Sequence, residues 1–457
     1  MFMSICAKPL GYYTGCNTAL LQAVPASAKR ILEVGCAEGN LGAALMELDP
    51  LRRVFGIERE PLAAARAAKK LNRVFTLDIE RGDPDLEPAS LDCILYGDVL
   101  EHLVDPEAVL RRHRQLLHPD GTIICSVPNV QHHSVITALL QSDFQYTTAG
   151  LLDVTHLRFF TYSTLIKLLL DAGYAPSLIA DIAVPAPGRL AAALIPALHE
   201  LGLHPARTQR YLNAYQYIAQ GSPLGWEAER RRGSEEALSF VVCVSDEARL
   251  SANLLSSPCL LAGSPHEVIA LRHCPSAAEG LNEGLRRANN RLVICVHQDV
   301  YLPRGWPERF LDQYRRAEVL FGPIGVAGVY GIARGAAGPC RAGRVVDRDR
   351  LLAEEAPLPA SVDTLDELLV AIPRGTPMKF DSRLGFHLYA TDLCLQAHKR
   401  GLATVALDAM CFHNSLGVGL PEEFLRGASI LRSKWGARLP IVTPCACISA
   451  DGQLQIS

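Results

Sequence analysis

Short apolar runs alternate with helix-length amphipathic segments from Arg30 onward. The runs are RILEVG, RVFGIE, RVFTLD, DCILYGDV and TIICSVP, and stretches such as LGAALMEL and PLAAARAAKKL separate them. This alternation predicts βαβ units in a mostly parallel sheet, because parallel strands need crossover connections that cover the faces of the sheet. Beyond them, STLIKLLLDAG predicts a helix and RYLNAYQYIAQ predicts a last strand near residue 218.

The same alternation starts again after a polar, glycine-punctuated segment, GSPLGWEAERRRGSEEA. LSFVVCVSDE begins the second series of strands and helices. A chain of 457 residues also exceeds the roughly 250–300 residues that one hydrophobic core accommodates. We therefore predict an α/β protein of two domains, residues 1–222 and 238–457, joined by a linker over residues 223–237.

Composition and charge limit the cellular environment that we expect for the protein and the classes of partner that it can bind. The formal charge of -3 argues against bulk attraction to nucleic acid, and the basic run ERRRGSEE is bracketed by acids, as in a solvated linker. The fourteen cysteines include no CxxC pair, which disfavours a disulfide framework or a zinc site. MFMSICAKPLGYYTG lacks the features of a signal peptide, and no run of about 18 apolar residues occurs. We expect a cytoplasmic protein with no transmembrane segment.

One apolar segment, GRLAAALIPALHELGL, leaves peripheral membrane contact or a lid over a site open. Its polar face is poor for an interfacial helix, so a helix packed on the domain is favoured.

A glycine-containing loop follows the first strand, in ILEVGCAEGNLG. Gly35 and Gly39 let main-chain N–H groups approach a ligand at the start of a helix. Glu58 ends the next strand, where a carboxylate can accept both hydroxyls of a ribose. A dinucleotide oxidoreductase fits this pattern as well, but its fingerprint needs a glycine where Ala37 stands.

The remaining motifs of this half identify a family resemblance. ILEVGCAEGNLG, VFGIERE, LDCILYGDVLEHLVDPEAVL, LLHPDGTIICSVPN and GLLDVTHLRFFTYSTLIKLLLDAGY together resemble the class I S-adenosylmethionine (SAM)-dependent methyltransferases. Their branch is that of the ubiquinone-biosynthesis O-methyltransferases, and the resemblance runs from about Tyr12 to residue 220. It implies a Rossmann-like sheet and SAM as the methyl donor.

The resemblance also implies a role for each cofactor-binding residue. Glu58 would bind the ribose and Asp78 the adenine amino group, whereas Asp98 and Leu100 would close the site beside the sulfonium. A cationic sulfonium suits a carboxylate-lined cleft that would repel a pyrophosphate, which favours methyl transfer over hydride transfer. The methionine part of the cofactor would contact Glu33, Gly35, Cys36 and Gly39.

Two histidines are candidate bases for the methyl acceptor. His102 in LEHL and His156 in DVTHLRFF carry imidazoles, which titrate near neutrality. Each could equally hydrogen-bond a neighbouring loop and order it. A base is needed if the acceptor is a hydroxyl, and our hypothesis is O-methylation of a sugar or glycolipid-type acceptor.

The second half has its own resemblance. VICVHQDVYLP is an apolar strand that stops at His297, Gln298 and Asp299, and FDSRLGFHLYATDLCLQAHKRG and CFHNS follow much later. This order, over about residues 238 to 420, is similar to the family 2-like glycosyltransferases of the GT-A fold, especially bacterial ones that act on cell-surface polysaccharides. It implies a nucleotide-sugar donor and a divalent cation.

The glycosyltransferase resemblance assigns metal and catalytic residues. Asp299 would coordinate Mn²⁺ or Mg²⁺, with His297 and His413 as further ligands, and nitrogen ligands favour Mn²⁺. The family commonly places its carboxylate base in an acidic pair just before DLC, where this chain has Tyr389-Ala390. Asp392 is then either the base or a helix cap, and Asp366 is a second candidate base.

These expectations combine into a bifunctional transferase that serves polysaccharide or glycolipid assembly. Loss of the usual acid also permits an alternative, an active methyltransferase whose C-terminal domain binds a carbohydrate or a partner without catalysis.

Overall fold

A computed structural model describes residue 15 and residues 17–200, 205–224, 236–335, 338–354, 356–415, 422–451 and 454–456. The chain divides into two units, residues 1–225 and 226–457. The predicted linker spans this division, and its residues 225–235 lie outside the described residues, as do Tyr12 and the segment around it.

The first unit is built on a seven-stranded sheet with the strand order β3-β2-β1-β4-β5-β7-β6. Strands β1 to β5 run parallel, whereas β7 is antiparallel to both β5 and β6. The four residues Ile31–Val34 of β1 are all buried, as expected for a central parallel strand covered on both faces. The strands are β1 (Arg30–Val34), β2 (Arg53–Glu58), β3 (Arg73–Thr76), β4 (Leu91–Gly97), β5 (Leu117–Pro128), β6 (Tyr174–Ala183) and β7 (Ala214–Pro223).

Helices cover this sheet, and several begin at side-chain caps. Glu60 accepts a hydrogen bond from the Ala63 amide at the start of α3, and Thr161 and Thr164 form a capping box at the start of α6. The helices are α1 (Thr18–Ala23), α2 (Asn40–Leu48), α3 (Pro61–Ala67), α4 (Pro106–His113), α5 (His133–Leu140), α6 (Tyr162–Asp171), α7 (Gly188–Glu200) and α8 (Pro205–Asn213), with a 3-10 turn at Leu100–His102 and another at Arg114–Leu116.

The second unit contains a mixed seven-stranded sheet with the order β16-β19-β12-β18-β10-β8-β9 and a second sheet with the order β11-β20-β14-β13-β17. β15 pairs with β14, and β21 to β23 form a small third sheet. The strands are β8 (Ser239–Val244), β9 (Glu267–Arg272), β10 (Leu292–Val296), β11 (Val300–Tyr301), β12 (Ile324–Gly328), β13 (Tyr330–Gly335), β14 (Gly338–Asp347), β15 (Arg350–Ala353), β16 (Ala360–Ser361), β17 (Thr364–Leu365), β18 (Leu369–Pro373), β19 (Ala403–Ala406), β20 (Phe412–His413), β21 (Ile441–Val442), β22 (Ala446–Ile448) and β23 (Leu454–Ile456).

Alternation along β10 divides the core of the second unit into two layers. Ile294 packs in a cluster with Trp306 and Phe310, whereas Cys295 packs on the other face in a cluster with Leu393. Helices therefore cover both faces of the main sheet. They are α9 (Glu247–Ala252), α10 (Ala277–Arg287), α11 (Trp306–Phe321), α12 (Tyr389–Lys399) and α13 (Glu422–Lys434), and 3-10 turns occur at Leu254–Ser256, Pro258–Leu260, Ser382–Leu384 and Gly436–Arg438.

The structure confirms the mixed α/β class and corrects two element predictions. Arg210–Asn213 belong to the end of α8, so the last strand is shorter than RYLNAYQYIAQ and begins at Ala214. The predicted packing helix forms as α7, yet none of its residues is buried, and residues 201–204 lie outside the described range. Among the helices that the described residues form, none combines the length and apolarity needed to cross a membrane.

Candidate functional site

A cavity of about 840 Å³ opens at the carboxyl ends of β1, β2 and β4 in the first unit. This volume lies within the usual range for sites that bind small molecules. Most of the predicted cofactor-binding residues lie around it. The cavity wall includes Glu33, Gly35, Cys36, Glu58, Asp78 and Asp98, together with the candidate base His102.

The loop after β1 turns sharply because three of its residues take left-handed backbone angles. Gly35, Ala37 and Gly39 have φ values of 70°, 48° and 74°. A Cβ on Gly35 would lie 2.6 Å from Cγ2 of Val99, so glycine is required there for space as well as for conformation. Gly39 caps the start of α2 and does not line the cavity.

Two carboxylates hold this loop and the start of α2 in place through hydrogen bonds from main-chain amides. Glu58 accepts hydrogen bonds from the amides of Ala37 at 2.9 Å and Glu60 at 2.8 Å. Glu33 accepts one from the Gly42 amide at 3.0 Å. Burial raises the pKa of Glu33 to about 8, against the lowering effect of that hydrogen bond and with a further rise from the charge of Glu58.

Asp98 lies at the end of β4 with a left-handed φ of 55°, a conformation that only the surrounding contacts can maintain in a residue other than glycine. Its Oδ1 accepts hydrogen bonds from Gln216 at 2.7 Å and from Ser126 at 3.2 Å. Burial raises its pKa to about 6, although the Ser126 hydrogen bond opposes this. Leu100, two residues on, is fully buried and does not line the cavity, whereas Val99 does.

His102 and His156 lie together at the cavity, with ring centroids 4.8 Å apart. Nδ1 of His102 lies 3.1 Å from the carbonyl oxygen of Thr155, and Nδ1 of His156 lies 3.1 Å from that of Leu151. A carbonyl oxygen only accepts, so both Nδ1 atoms carry a proton. His102 lines the cavity, but His156 does not.

Glu101 completes this cluster, and the sequence motifs did not single it out. Its Oε1 lies 4.0 Å from Nε2 of His156, and its Oε2 is buried with no hydrogen-bond partner among the described residues. One potential ligand atom from each of Glu101, His102 and His156 lies within 4.8 Å of the others, so the cluster could accept a metal ion. The main-chain oxygen of Glu101 also accepts hydrogen bonds from the amides of Leu157 and Arg158. These bonds hold the neighbouring His156 beside Glu101.

The predicted metal residues of the second unit converge in the same way. Potential ligand atoms of His297, Asp299 and His413 lie within 4.8 Å of one another. Pairing of β11 with β20 sets Val300 opposite His413, and the Asn414 amide donates to the Asp299 carbonyl at 2.9 Å. The acid and imidazole donors of this set fit Mn²⁺.

Opposite charges stabilise this cluster. Burial alone would raise the pKa of Asp299, but the hydrogen bond and charge of His413, with Arg249 nearby, keep it well below its usual range. For His413, burial is overcome by Asp299 and Asp347, which raise its pKa to about 10. Burial lowers the pKa of His297, whose Nε2 lies 3.0 Å from the Tyr389 hydroxyl.

Asp347 is a contact that the sequence motifs missed. Its Oδ1 lies 3.0 Å from Nδ1 of His413, and its Oδ2 pairs with the guanidinium of Arg348. Nothing in its local sequence, VVDRDR, marks it, because the pairing of β14 with β20 alone brings it to His413.

Of the two candidate bases, Asp366 is half-buried and accepts the Leu368 amide at 3.0 Å. The adjacent Glu367 was not predicted. Burial raises its pKa to about 8, with help from the charge of Asp366, while the amides of Ala390, Tyr389 and Leu388 oppose the rise. Its Oε1 is buried, and no hydrogen-bond partner for it occurs in the described part of the chain. Its carbonyl lies 3.5 Å from the Tyr389 hydroxyl.

Asp392 does not cap α12, which corrects that expectation, because the helix begins at Tyr389 with Leu388 in the cap position. Its side chain is fully buried. It accepts hydrogen bonds from Trp435 Nε1 at 2.7 Å, Lys434 Nζ at 2.9 Å and Gln396 Nε2 at 2.7 Å. These contacts join α12 to α13 and leave little of the carboxylate for a proton transfer.

Replacement of Glu33 by Gln tests the buried carboxyl. Its folded pKa of about 8 exceeds the unfolded value of 4.5, so its stabilising contribution is complete below pH 4.5 and is lost as the pH rises through 8. Relative to wild type, we expect Glu33→Gln to gain about 1–4 kcal/mol in the free energy of unfolding between pH 5 and pH 8.5. Hydrogen exchange of β1 peptides in urea, corrected for intrinsic rates, measures it. Exposed Glu47→Gln is the control, and identical pH profiles for Glu33→Gln and wild type would contradict the expectation.

Replacement of Asp392 by Asn separates a structural carboxylate from a base. Loss of a buried ion pair costs about 2–4 kcal/mol, so we expect destabilisation that tryptophan fluorescence detects, since Trp435 contacts Asp392 directly. Asp363→Asn, which breaks an exposed pair with Arg334, should cost less than about 1 kcal/mol. Unchanged stability of Asp392→Asn would instead favour the catalytic role.

Comparisons with known proteins divide the chain at the same place. A methyltransferase domain model matches residues 13–177, and a glycosyltransferase-like family model matches residues 239–416. The ubiquinone biosynthesis O-methyltransferase of Neisseria meningitidis is 30% identical over 25% of this chain and 51% of its own length. That of Dinoroseobacter shibae is 30% identical over 33% of this chain and 62% of its own length.

A solved SAM-dependent methyltransferase from Thermotoga maritima covers 45% of this chain and 86% of its own, at 16% identity and a TM-score of 0.33. The chain spans about half the length of the curated relatives it matches. It is a two-part protein in which a methyltransferase domain of the SAM-dependent class precedes a glycosyltransferase-like domain.

Proposed function

We propose that the first unit transfers a methyl group from SAM to a hydroxyl of a sugar or glycolipid-type acceptor. We also propose that the second unit transfers a sugar from a nucleotide-sugar donor, with a divalent cation, in polysaccharide or glycolipid assembly. The observation that supports the first activity best is the cavity around Gly35, Glu58 and Asp98. For the second activity it is the convergence of Asp299 and His413.

The charges around the cavity suit SAM. Its sulfonium and amino groups are cationic, and Glu58 and Asp98 supply carboxylates at the ends of β2 and β4, beside the buried carboxyl of Glu33, which its raised pKa keeps protonated near neutral pH. A pyrophosphate in the same place would face Coulomb repulsion. Bound SAM supplies an electrophilic methyl group, and these residues bind and orient it. Asp78 remains our choice for the adenine amino group, and Gly39 and Leu100 act by shaping the loop and the turn rather than by contact.

His102 is the better of the two candidate bases. Its Nδ1 donates to the Thr155 carbonyl, so Nε2 of the neutral ring would accept the proton, and the ring lines the cavity in which an acceptor hydroxyl would lie. His156 lies behind it and would act by orienting the cluster. Because methyl transfer is an in-line displacement, the chain mainly aligns the acceptor oxygen and accepts its proton.

Glu101 favours a second possibility for acceptor activation. A divalent cation between Glu101, His102 and His156 would lower the pKa of an acceptor hydroxyl without a protein base. The buried, unpartnered Oε2 of Glu101 is the observation that supports it.

Substitutions around the loop test SAM binding. Gly35→Val introduces a clash with Val99 and an unfavourable φ, so we expect at least a 100-fold loss of SAM affinity. Glu58→Ala removes charge-assisted hydrogen bonds, which corresponds to about a 10–100-fold loss. Isothermal titration calorimetry measures both. Glu47→Ala, an exposed carboxylate, is the control. Wild-type affinity in Gly35→Val would end the assignment of this cavity.

In the second unit, a divalent cation would offset the charge that develops on the departing diphosphate. Asp299 and His413 would bind it directly, with His297 as the third ligand. Asp366 remains a candidate base, and Glu367 adds a second carboxyl at the same position in the loop before β18.

The alternative function is an active methyltransferase with a non-catalytic C-terminal unit. Two observations favour it: Ala390 stands where the family usually has an acid, and Asp392 is fully engaged in hydrogen bonds. Such a unit would bind a carbohydrate, a nucleotide sugar or a partner without turnover.

Cation-dependent turnover separates these two functions. We expect the full chain to release nucleoside diphosphate from one member of a panel of UDP-, GDP- and dTDP-sugars with MnCl₂, and not with EDTA. Asp299→Asn should lower the rate at least 100-fold because it removes a charged ligand. Asp363→Asn is the matched control outside the cluster. Tight binding of a nucleotide sugar without any turnover would favour the non-catalytic alternative.

A further inference from the structure

We propose that Asp347 is a positioning residue that orients His413 for cation binding in the second unit. The inference rests on the proposed cation site. It assigns a role to a residue that lies outside both sequence motifs of the site, His297-Gln298-Asp299 and residues 412–415.

The contact between the two side chains determines which ring nitrogen faces the cluster. Oδ1 of Asp347 lies 3.0 Å from Nδ1 of His413, whereas Nε2 of His413 lies 3.5 Å from Oδ1 of Asp299. An ionised carboxylate only accepts, so Nδ1 is the donor toward Asp347. Nε2 is therefore the atom directed toward Asp299, and a cation that binds there takes the place of its proton.

Asp347 itself is poorly placed to be a ligand. Its two oxygens are both engaged, Oδ1 with His413 and Oδ2 with Arg348 at 2.8 Å. Its side chain is 16% exposed, close to the 15% of His413, so the pair is largely shielded from competing water. A cation could reach Asp347 only through the remaining lone pair of one of these oxygens, beside the proton of His413 or the guanidinium of Arg348.

Main-chain pairing makes the arrangement rigid. β14 and β20 are parallel neighbours, with Asp347 in register with His413, and the Arg348 amide donates to the His413 carbonyl at 2.9 Å. On its other side β20 pairs with β11, which follows Asp299. Asp347 and His413 thus lie on adjacent strands, and Asp299 lies in the turn directly before the third strand.

This is the arrangement in which an outer carboxylate tunes a metal-binding histidine. The hydrogen bond fixes the tautomer and ring orientation and increases the basicity of the other nitrogen, and its loss typically weakens metal affinity 10–100-fold. Arg348 pairs with the same carboxylate, which reduces the effect of Asp347 on the basicity of His413. The same ion pair keeps the Asp347 side chain from rotating away.

The first experiment titrates MnCl₂ into the full chain by isothermal titration calorimetry at constant pH. We expect Asp347→Asn to bind Mn²⁺ 10–100-fold more weakly than wild type, because an amide cannot maintain the same charged contact. Asp347→Glu, which retains a carboxylate, should recover part of the loss. Asp363→Asn makes the same chemical change at an exposed pair and should bind as wild type does.

A double-mutant cycle distinguishes positioning through His413 from a general effect on the fold. In a His413→Asn background, Asp347→Asn should change Mn²⁺ affinity by less than twofold, because the imidazole through which it acts is absent. Tryptophan fluorescence and SAM affinity, measured on the same samples, check that each variant is folded. If Asp347→Asn does not fold, the comparison of Asp347→Glu with wild type in the two backgrounds takes its place.

The outcomes separate this inference from the proposed function. No Mn²⁺ binding by wild type would overturn both the cation site and the role of Asp347. Binding by wild type that Asp299→Asn abolishes, but that Asp347→Asn leaves within twofold, would overturn the role of Asp347 and retain the site. An equal loss in the His413→Asn background would also overturn it, since Asp347 would then act by another route.

Discussion

A carboxylate buried at the end of a strand destabilises a fold unless hydrogen-bond donors or opposite charges compensate for its lost hydration. Both units meet this requirement with main-chain amides and a few side chains. Glu58 accepts hydrogen bonds from two main-chain amides, and Asp98 accepts them from the side chains of Ser126 and Gln216. Asp299 pairs with the imidazole of His413. The loops and strand ends that supply these donors are the elements that shape the two candidate sites.

The two sites balance their charge differently. In the first unit Glu58 and Asp98 are compensated by amides and a hydroxyl group, whereas the buried Glu33 keeps its proton near neutral pH. The negative character that suits a cationic ligand therefore comes from Glu58 and Asp98. In the second unit Asp299 and Asp347 have an imidazole between them. A divalent cation could take the place of the positive charge that His413 provides there.

A further carboxylate, Asp392, shows how the same requirement can serve stability instead. The motif DLC placed it near a catalytic position, but Gln396, Lys434 at the end of the following helix and the adjacent Trp435 donate hydrogen bonds to its two oxygens. Glu367, in contrast, retains an oxygen with no hydrogen-bond partner beside the first amides of α12. Residue type and position in a motif could not predict that Asp392 is a structural acid and Glu367 a less satisfied one, because the difference lies in the hydrogen-bond donors that other segments supply.

The sequence by itself determined the α/β class, the two-part division and the glycine loop, because strand period, helix spacing and the conformational needs of glycine are local properties. It also identified Asp299, His297 and His413 as one group through their resemblance to a known family. Only the tertiary structure revealed Asp347, Glu101 and the partners of Asp392. Those contacts join segments far apart in the chain, and strand register and helix packing, which no local pattern encodes, decide which side chains meet.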